Sequence, residues 1–224
     1  MAASRNLQKR TEILSGAYRL ISEADYDRVS LNDIAKSAGI NKSLLQSYYP
    51  QKQQIVGELL DDMLRQSYLY IDTNELEQGS LFNKVSDYTV LFFLTAGTDR
   101  RLNRFVITTT THTELMDIWV DNVFQWFWSA ILEEDGQPQI PYLRLKAALS
   151  FAMYGTLKLL RDRDKLNLTI QGICENHVRQ LMTVMERTPS EIEDVLSRTR
   201  ERAKTFDMEA FLNYCENKIA WFSR

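Results

Sequence analysis

The sequence predicts an all-α protein, with an N-terminal three-helix helix-turn-helix domain followed by a larger C-terminal helical bundle domain. Three observations predict it. Apolar residues recur at i, i+3 and i+4 along nearly the whole chain, and no alternating stretch is long enough to compete as a strand. Only 8 Gly and 4 Pro are scattered over 224 residues, so turns are few and elements long. Capping residues stand where one periodic segment gives way to the next.

In chain order, residues 6–24 place Ile13, Ala17, Leu20 and Ala24 on one helical face, with Leu14, Tyr18 and Ile21 beside them. Ser30 fits an N-cap and Asp33, three residues on, its reciprocal partner. The short helix that follows should bury Leu31, Ile34, Ala35 and Ala38. Gly39 is free to adopt positive φ and end it sharply. Asn41 caps a third helix, 42–48. Pro50 disfavours helical geometry at Tyr49 and starts a fourth, 51–70. Ser80 caps 81–96. Residues 100–110 read as helix despite the β-branched run "VITTTT", whose hydroxyls are expected to bond back within the helix. Thr111 with Glu114 is a capping signature for a helix reaching about residue 134, and "EDGQPQIP" is a loop. Helices then follow at 142–162, 168–187, 189–204 and 207–222. Thr188 caps the third of these, with Pro189 first and Glu191 third in it.

A net charge of −3 is unevenly spread. Residues 1–55 hold eight basic and five acidic side chains, a surplus of +3, which leaves −6 for the rest. A basic head on an acidic body implies a polyanionic partner for the head alone. Cys174 and Cys215 lie far apart and match no metal or redox spacing, so free thiols are expected. "MAASRNLQKR" has no apolar h-region, and the most apolar stretches are too short or interrupted to span a bilayer, so a cytoplasmic location without membrane contact is expected.

Two helices too short to stand alone, joined by a turn containing Gly, make a helix-turn-helix. Such an arrangement makes sense if the third helix must project into the major groove of double-stranded DNA. Ile40, Leu45 and Tyr49 should face inward. Lys42, Ser43, Gln46 and Ser47 should face outward, as donors and acceptors suited to base edges and phosphates. Lys52, at the positive end of the fourth helix, is placed to receive a phosphate.

Residues 13–60, "ILSGAYRLISEADYDRVSLNDIAKSAGINKSLLQSYYPQKQQIVGELL", carry Ala17, Val29-Ser30, Ile34-Ala35, Ala38-Gly39-Ile40, Leu45, Tyr48-Tyr49 and Pro50-Gln51-Lys52. As a set these resemble the DNA-binding domain of the TetR family of bacterial transcription regulators. The third helix departs from that pattern: it reads Ser43-Leu44-Leu45-Gln46, with Gln46 where an aromatic is common. The resemblance implies a homodimer, usually a repressor, whose C-terminal domain binds a small effector and dimerises through its last two principal helices; the density of aromatic residues from Trp119 to Trp128 makes an apolar or aromatic effector the expected one. Those correspond here to 142–162 and 168–187, where Ala147, Ala148, Ala152 and Gly155 would permit close approach. It also implies a head in 1–52 and a body in 53–224, with 188–224 as a two-helix extension that either wraps a partner or covers its own domain. The expected DNA-contacting set is Ser30, Asn41, Lys42, Ser43, Gln46, Ser47, Tyr48 and Lys52.

Trp119, Phe124, Trp126, Phe127 and Trp128 are dense enough to line a cavity for a planar ligand; the plainer alternative is a bulky core. If a cavity exists, Phe92, Phe105, Thr109, His112, Trp119, Met153 and Tyr154 are expected to line it. No cofactor and no metal site is expected, because the two histidines, His112 and His177, have no partners at ligand spacing. No nucleophile elbow, P-loop or Gly-rich dinucleotide turn is present. Two rival readings stand beside the regulator: an all-α magnesium-dependent enzyme using Asp61 and Asp62, and a module that docks proteins with its helix-turn-helix.

Overall fold

The computed structural model describes residues 2–73, 81–125 and 140–223. Among them lie eleven α-helices and no strand: α1 Ala2–Glu23, α2 Leu31–Ser37, α3 Lys42–Tyr48, α4 Lys52–Thr73, α5 Leu81–Thr98, α6 Arg100–Thr111, α7 Thr113–Val123, α8 Ile140–Asp162, α9 Ile170–Val184, α10 Pro189–Ala203 and α11 Met208–Lys218. None of the described helices is long and apolar enough to cross a membrane. The expected cap at Ser80, the cluster Trp126, Phe127 and Trp128, and most of the loop 134–141 lie outside the described residues. Ile140 and Pro141, placed in that loop by their composition, begin α8.

The head is built by short-range polar contacts. Ser30 and Asp33 form the expected capping box: the Asp33 amide donates to Ser30 Oγ at 3.2 Å, and the Ser30 amide donates to Asp33 Oδ2 at 3.0 Å. Gly39 adopts φ 63°. That lets its own amide reach the Lys36 carbonyl and the Ile40 amide reach the Ala35 carbonyl, closing α2 in a Schellman turn. Asn41 Oδ1 accepts from the Leu44 amide at 2.8 Å and opens α3. Beneath these lies one apolar layer of Ile13, Ala17, Ile21, Ile34, Ala35 and Leu45, all buried.

The body is built around α5. It packs on α4, α6, α9, α10 and α11, and its run Val90–Phe93 with Ala96 is buried. A helix with neighbours on most sides buries residues all round, and here the buried ones include Ser86, Asp87, Thr89 and Thr95 beside the apolar run. In α6, Thr109, Thr110 and Thr111 donate to the carbonyls four residues back at 2.9, 2.6 and 2.7 Å, so the β-branched run satisfies its own hydroxyls. The Thr111–Glu114 cap does not form. Thr111 ends α6, its hydroxyl already engaged on Ile107, and His112 occupies the N-cap of α7 without a side-chain cap bond. Gly155 of α8 lies so close to α6 that a Cβ there would sit 2.5 Å from Thr110 Oγ1, and Ala147 is fully buried. These two small residues therefore serve close packing inside the protomer, a correction to their expected place between subunits.

The segment after residue 188 covers its own domain. Thr188 and Glu191 form a reciprocal capping box. The α10 helix lies on α5, where the buried Asp87 carboxylate meets Arg202 Nε at 3.0 Å and Arg198 Nη1 at 3.3 Å. Burial pushes the Asp87 pKa up against the pull of the two guanidiniums. The α11 helix lies on α4 and α5. Beyond it, the rings of Trp221 and Phe222 pack at a tilt against Tyr18 of α1, centroids 5.3 and 5.5 Å apart, and Trp221 Nε1 donates to Asp62 Oδ2 at 2.8 Å.

Candidate DNA-binding face and ligand cavity

α3 buries Leu45 and, through the Tyr49 that follows, anchors its far end. The Tyr49 hydroxyl donates to Glu58 Oε2 at 2.7 Å, and Arg10 ties to both, 3.2 Å to the hydroxyl and 2.7 Å to Glu58 Oε2. Burial and the Glu58 carboxylate push the Tyr49 pKa up, while Glu58 holds Arg10 firmly protonated. This triad joins α1, α3 and α4 and fixes how α3 projects. It went unseen in the sequence because its members are up to 48 residues apart.

The other face of α3 is open. Asn41, Lys42, Ser43, Leu44, Gln46 and Ser47 are exposed and Tyr48 is half-buried. Tyr48 lines a shallow groove with Asn6, Arg10, Leu44 and Ser47, between α3 and the N-terminal part of α1. Lys42, Ser43 and Gln46 keep their side-chain donors and acceptors unused among the described residues. Ser47 donates to the Leu44 carbonyl at 2.7 Å, and Asn41 and Ser30 are engaged as caps. Lys52 differs from its expected role. Its ammonium donates to the carbonyls of Tyr26 and Val29 at 2.6 and 2.8 Å and sits 3.6 Å over the Tyr26 ring, and partial burial lowers its pKa. It holds the turn between α1 and α2 in place rather than standing clear for a phosphate.

In the body, an apolar cavity of about 30 Å³ is lined by Leu64, Tyr88, Phe92, Phe93, Trp119 and Phe151, with Val85, Thr89, Val123, Leu181 and Met185 around them. Of the seven residues expected there, Phe92 and Trp119 are on its wall. Tyr154 lies one layer behind, its ring centroid 3.8 Å from that of Phe93. Phe105 packs edge-on against Tyr18 at 5.4 Å, because that face of α6 turns to α1. Thr109 is buried with its hydroxyl on Phe105, and Met153 is half-buried on α8. His112 is far from the cavity in role: its Nε2 lies 3.0 Å from Asp27 Oδ1 and its ring meets Tyr26 edge-on at 4.6 Å, joining the α6–α7 corner to the head. The residues missed were Val85, Tyr88, Thr89 and Phe93 of α5, Leu64, Val123 and Phe151 of α4, α7 and α8, and Leu181 and Met185 at the α9 C-terminus. The i, i+4 aromatic pair Tyr88 and Phe92 was the signal that could have found the first.

The Asp61-Asp62 pair does not form a metal centre: Asp62 accepts from Arg65 at 2.7 Å and from Trp221. Among the described residues no group of three or more His, Cys, Asp or Glu could hold a metal ion.

Residues 13–59 match the family model of the bacterial regulatory proteins of the tetR family. No curated protein matches the chain. Among solved structures, the crystal structure of RolR in complex with resorcinol is similar over 88% of this chain and 96% of its own, at 13% identity and a TM-score of 0.63. TylP, a tetR regulator from Streptomyces fradiae, is similar over 90% and 94%, at 17% identity and a TM-score of 0.54. Residues 13–59 are thus a TetR-type helix-turn-helix domain of the bacterial regulatory proteins, carried on a chain with the overall fold of the TetR regulators.

Proposed function

We propose that the chain is a ligand-responsive homodimeric transcription regulator, a repressor, that reads a palindromic operator through two copies of α3. The head would comprise residues 1–52 and the ligand-binding and dimerisation body the remainder. The observation that carries this is the face of α3 on which Lys42, Ser43 and Gln46 remain free while Leu45, Tyr49, Arg10 and Glu58 hold the helix rigid behind them. Fixed backbone with unengaged polar tips is what base readout requires. Dimerisation through α8 and α9 is supported by Leu145, Leu149 and Leu160, large apolar side chains left exposed along α8. A small effector is supported by the apolar cavity, and by the resorcinol held by RolR, a protein of similar fold.

The test is selection of bound duplexes from a random pool, followed by a salt titration on the winner. The expected result is a two-fold symmetric site and an affinity that falls linearly in log–log with salt. Lys42→Ala should change base preference at one position of each half-site, at a cost of about 1–3 kcal/mol. Indifference to every duplex at low salt would leave the helix-turn-helix as a protein-docking module.

A further inference from the structure

We propose that Leu44 is a specificity-determining residue of α3, whose side chain reads the C5-methyl group of one thymine in each half-site. This rests on the regulator reading and adds an apolar contact to it; Leu44 stands outside the set of residues expected to touch DNA. The outer face of α3 has two unlike flanks. Residues four apart on a helix share a flank. With Leu45 buried as the inner residue, Lys42 and Gln46 fall on one side and Leu44 and Tyr48 on the other. Leu44, Ser47 and Tyr48 together line the groove toward α1, which agrees with that spacing. The first flank carries unused polar tips. On the second, the Ser47 hydroxyl already donates to the Leu44 carbonyl at 2.7 Å, and Leu44 is 41% exposed.

A single exposed leucine is ordinary on a protein surface. The place of this one decides its role. It stands on the helix that enters the major groove in the regulator reading, and the bonds of Tyr49 to Glu58 and Arg10 fix the roll of that helix. A large apolar side chain carried into the groove loses its water. Against base nitrogens and carbonyl oxygens it would strip polar groups of water and return no hydrogen bond. The base edges of the major groove offer one apolar group, the thymine methyl. Leu44 therefore selects thymine by apolar contact, while Lys42 and Gln46, on the opposite flank, address other base edges by hydrogen bonds. Burying one methyl group against a leucine is worth a factor of about four in affinity.

The probe is the two-fold symmetric duplex recovered by the selection above, remade with deoxyuridine for thymidine at one position of each half-site at a time. Uracil pairs as thymine does and lacks only the methyl. At one position the full chain should bind about fourfold more weakly per half-site, or about 15-fold for the symmetric pair. Leu44→Ala should lose the same factor on the thymine duplex and become indifferent to uracil there, so that the two changes are not additive. Leu44→Met, apolar and of similar size, should keep the preference. Thermal melts check that both variants fold; should either fail, the uracil series on the wild-type chain still decides. A selected site with no fixed thymine, uracil tolerated at every position, or a uracil penalty that survives Leu44→Ala would each overturn the proposal. So would a Leu44→Ala variant that weakens thymine and uracil duplexes alike, which would put the leucine on the sugar-phosphate backbone. Each of these is seen on a duplex that binds and removes the methyl contact alone; failure to bind any duplex removes the regulator reading itself.

Discussion

The head and the body solve the same problem, holding helices in place, by opposite means. In the head, short helices are fixed by side-chain-to-backbone bonds reaching three or four residues, by one left-handed glycine, and by the Arg10–Tyr49–Glu58 triad. Its caps and the triad engage the groups that set the path of the chain, while the buried hydroxyls of Tyr18, Ser22 and Tyr26 have no partner among the described residues and the outer face of α3 keeps its polar tips unused. In the body, long helices are fixed by aromatic burial, and polar atoms are left unpaired inside, Trp119 Nε1 and His177 Nε2 among them. The difference teaches where each region has freedom. The head is held by local polar bonds and presents unused groups on α3 to the outside; the body is held by apolar packing across long helices.

Four measurements would break or sharpen that contrast. The largest effect is expected at Phe93, buried against Phe92, Trp119, Tyr154 and His177. Phe93→Ala should lower unfolding free energy by about 4 kcal/mol in denaturant melts. A loss much smaller than that would mean the body is looser than drawn. Next comes pH. The His177 pKa falls from an ordinary 6.5 to about 4 in the folded chain, so the unfolded state takes the proton first. Stability should be full above pH 6.5 and decline between 6.5 and 4, by up to about 3 kcal/mol. His177→Phe should flatten that part of the wild-type curve.

The two glycines come third and fourth, and they separate the regions most cleanly. Gly155→Ala forces a Cβ to within 2.5 Å of Thr110 Oγ1, a steric conflict in the body, and should cost about 2 kcal/mol with a lowered Tm. At Gly39 a Cβ would meet nothing within 4 Å, yet φ is 63°. Gly39→Ala should therefore cost about 1 kcal/mol, from backbone strain alone, and weaken DNA binding by tilting α3. Asparagine, which tolerates that conformation, should recover part of it. If Gly39→Ala proves the costlier of the pair, the head is the more crowded region and the contrast is inverted.

The sequence reveals the head better than the body for the same physical reason. The Ser30–Asp33 box, the Gly39 turn and the Asn41 cap are local, so residue identity and spacing suffice to read them. The carbonyls that engage Lys52, those of Tyr26 and Val29, lie 26 and 23 residues away, so spacing alone does not reveal them. The body's helices were legible from periodicity, including α6, whose threonines satisfy themselves. Its cavity was not. Which face of α6 meets α1 and which side of α8 takes Gly155 are decided by packing among helices distant in sequence. That is why Phe105, Thr109 and His112 were grouped with a cavity they do not line.

The packing of Trp221 and Phe222 on Tyr18 carries a consequence for biosynthesis. Translation delivers α1 first and its aromatic cover long afterwards. While the ribosome works through the intervening helices, Tyr18 waits with a greasy flank in water, the kind of surface a nascent-chain chaperone holds. α1 is thus made well before the segment that seals it.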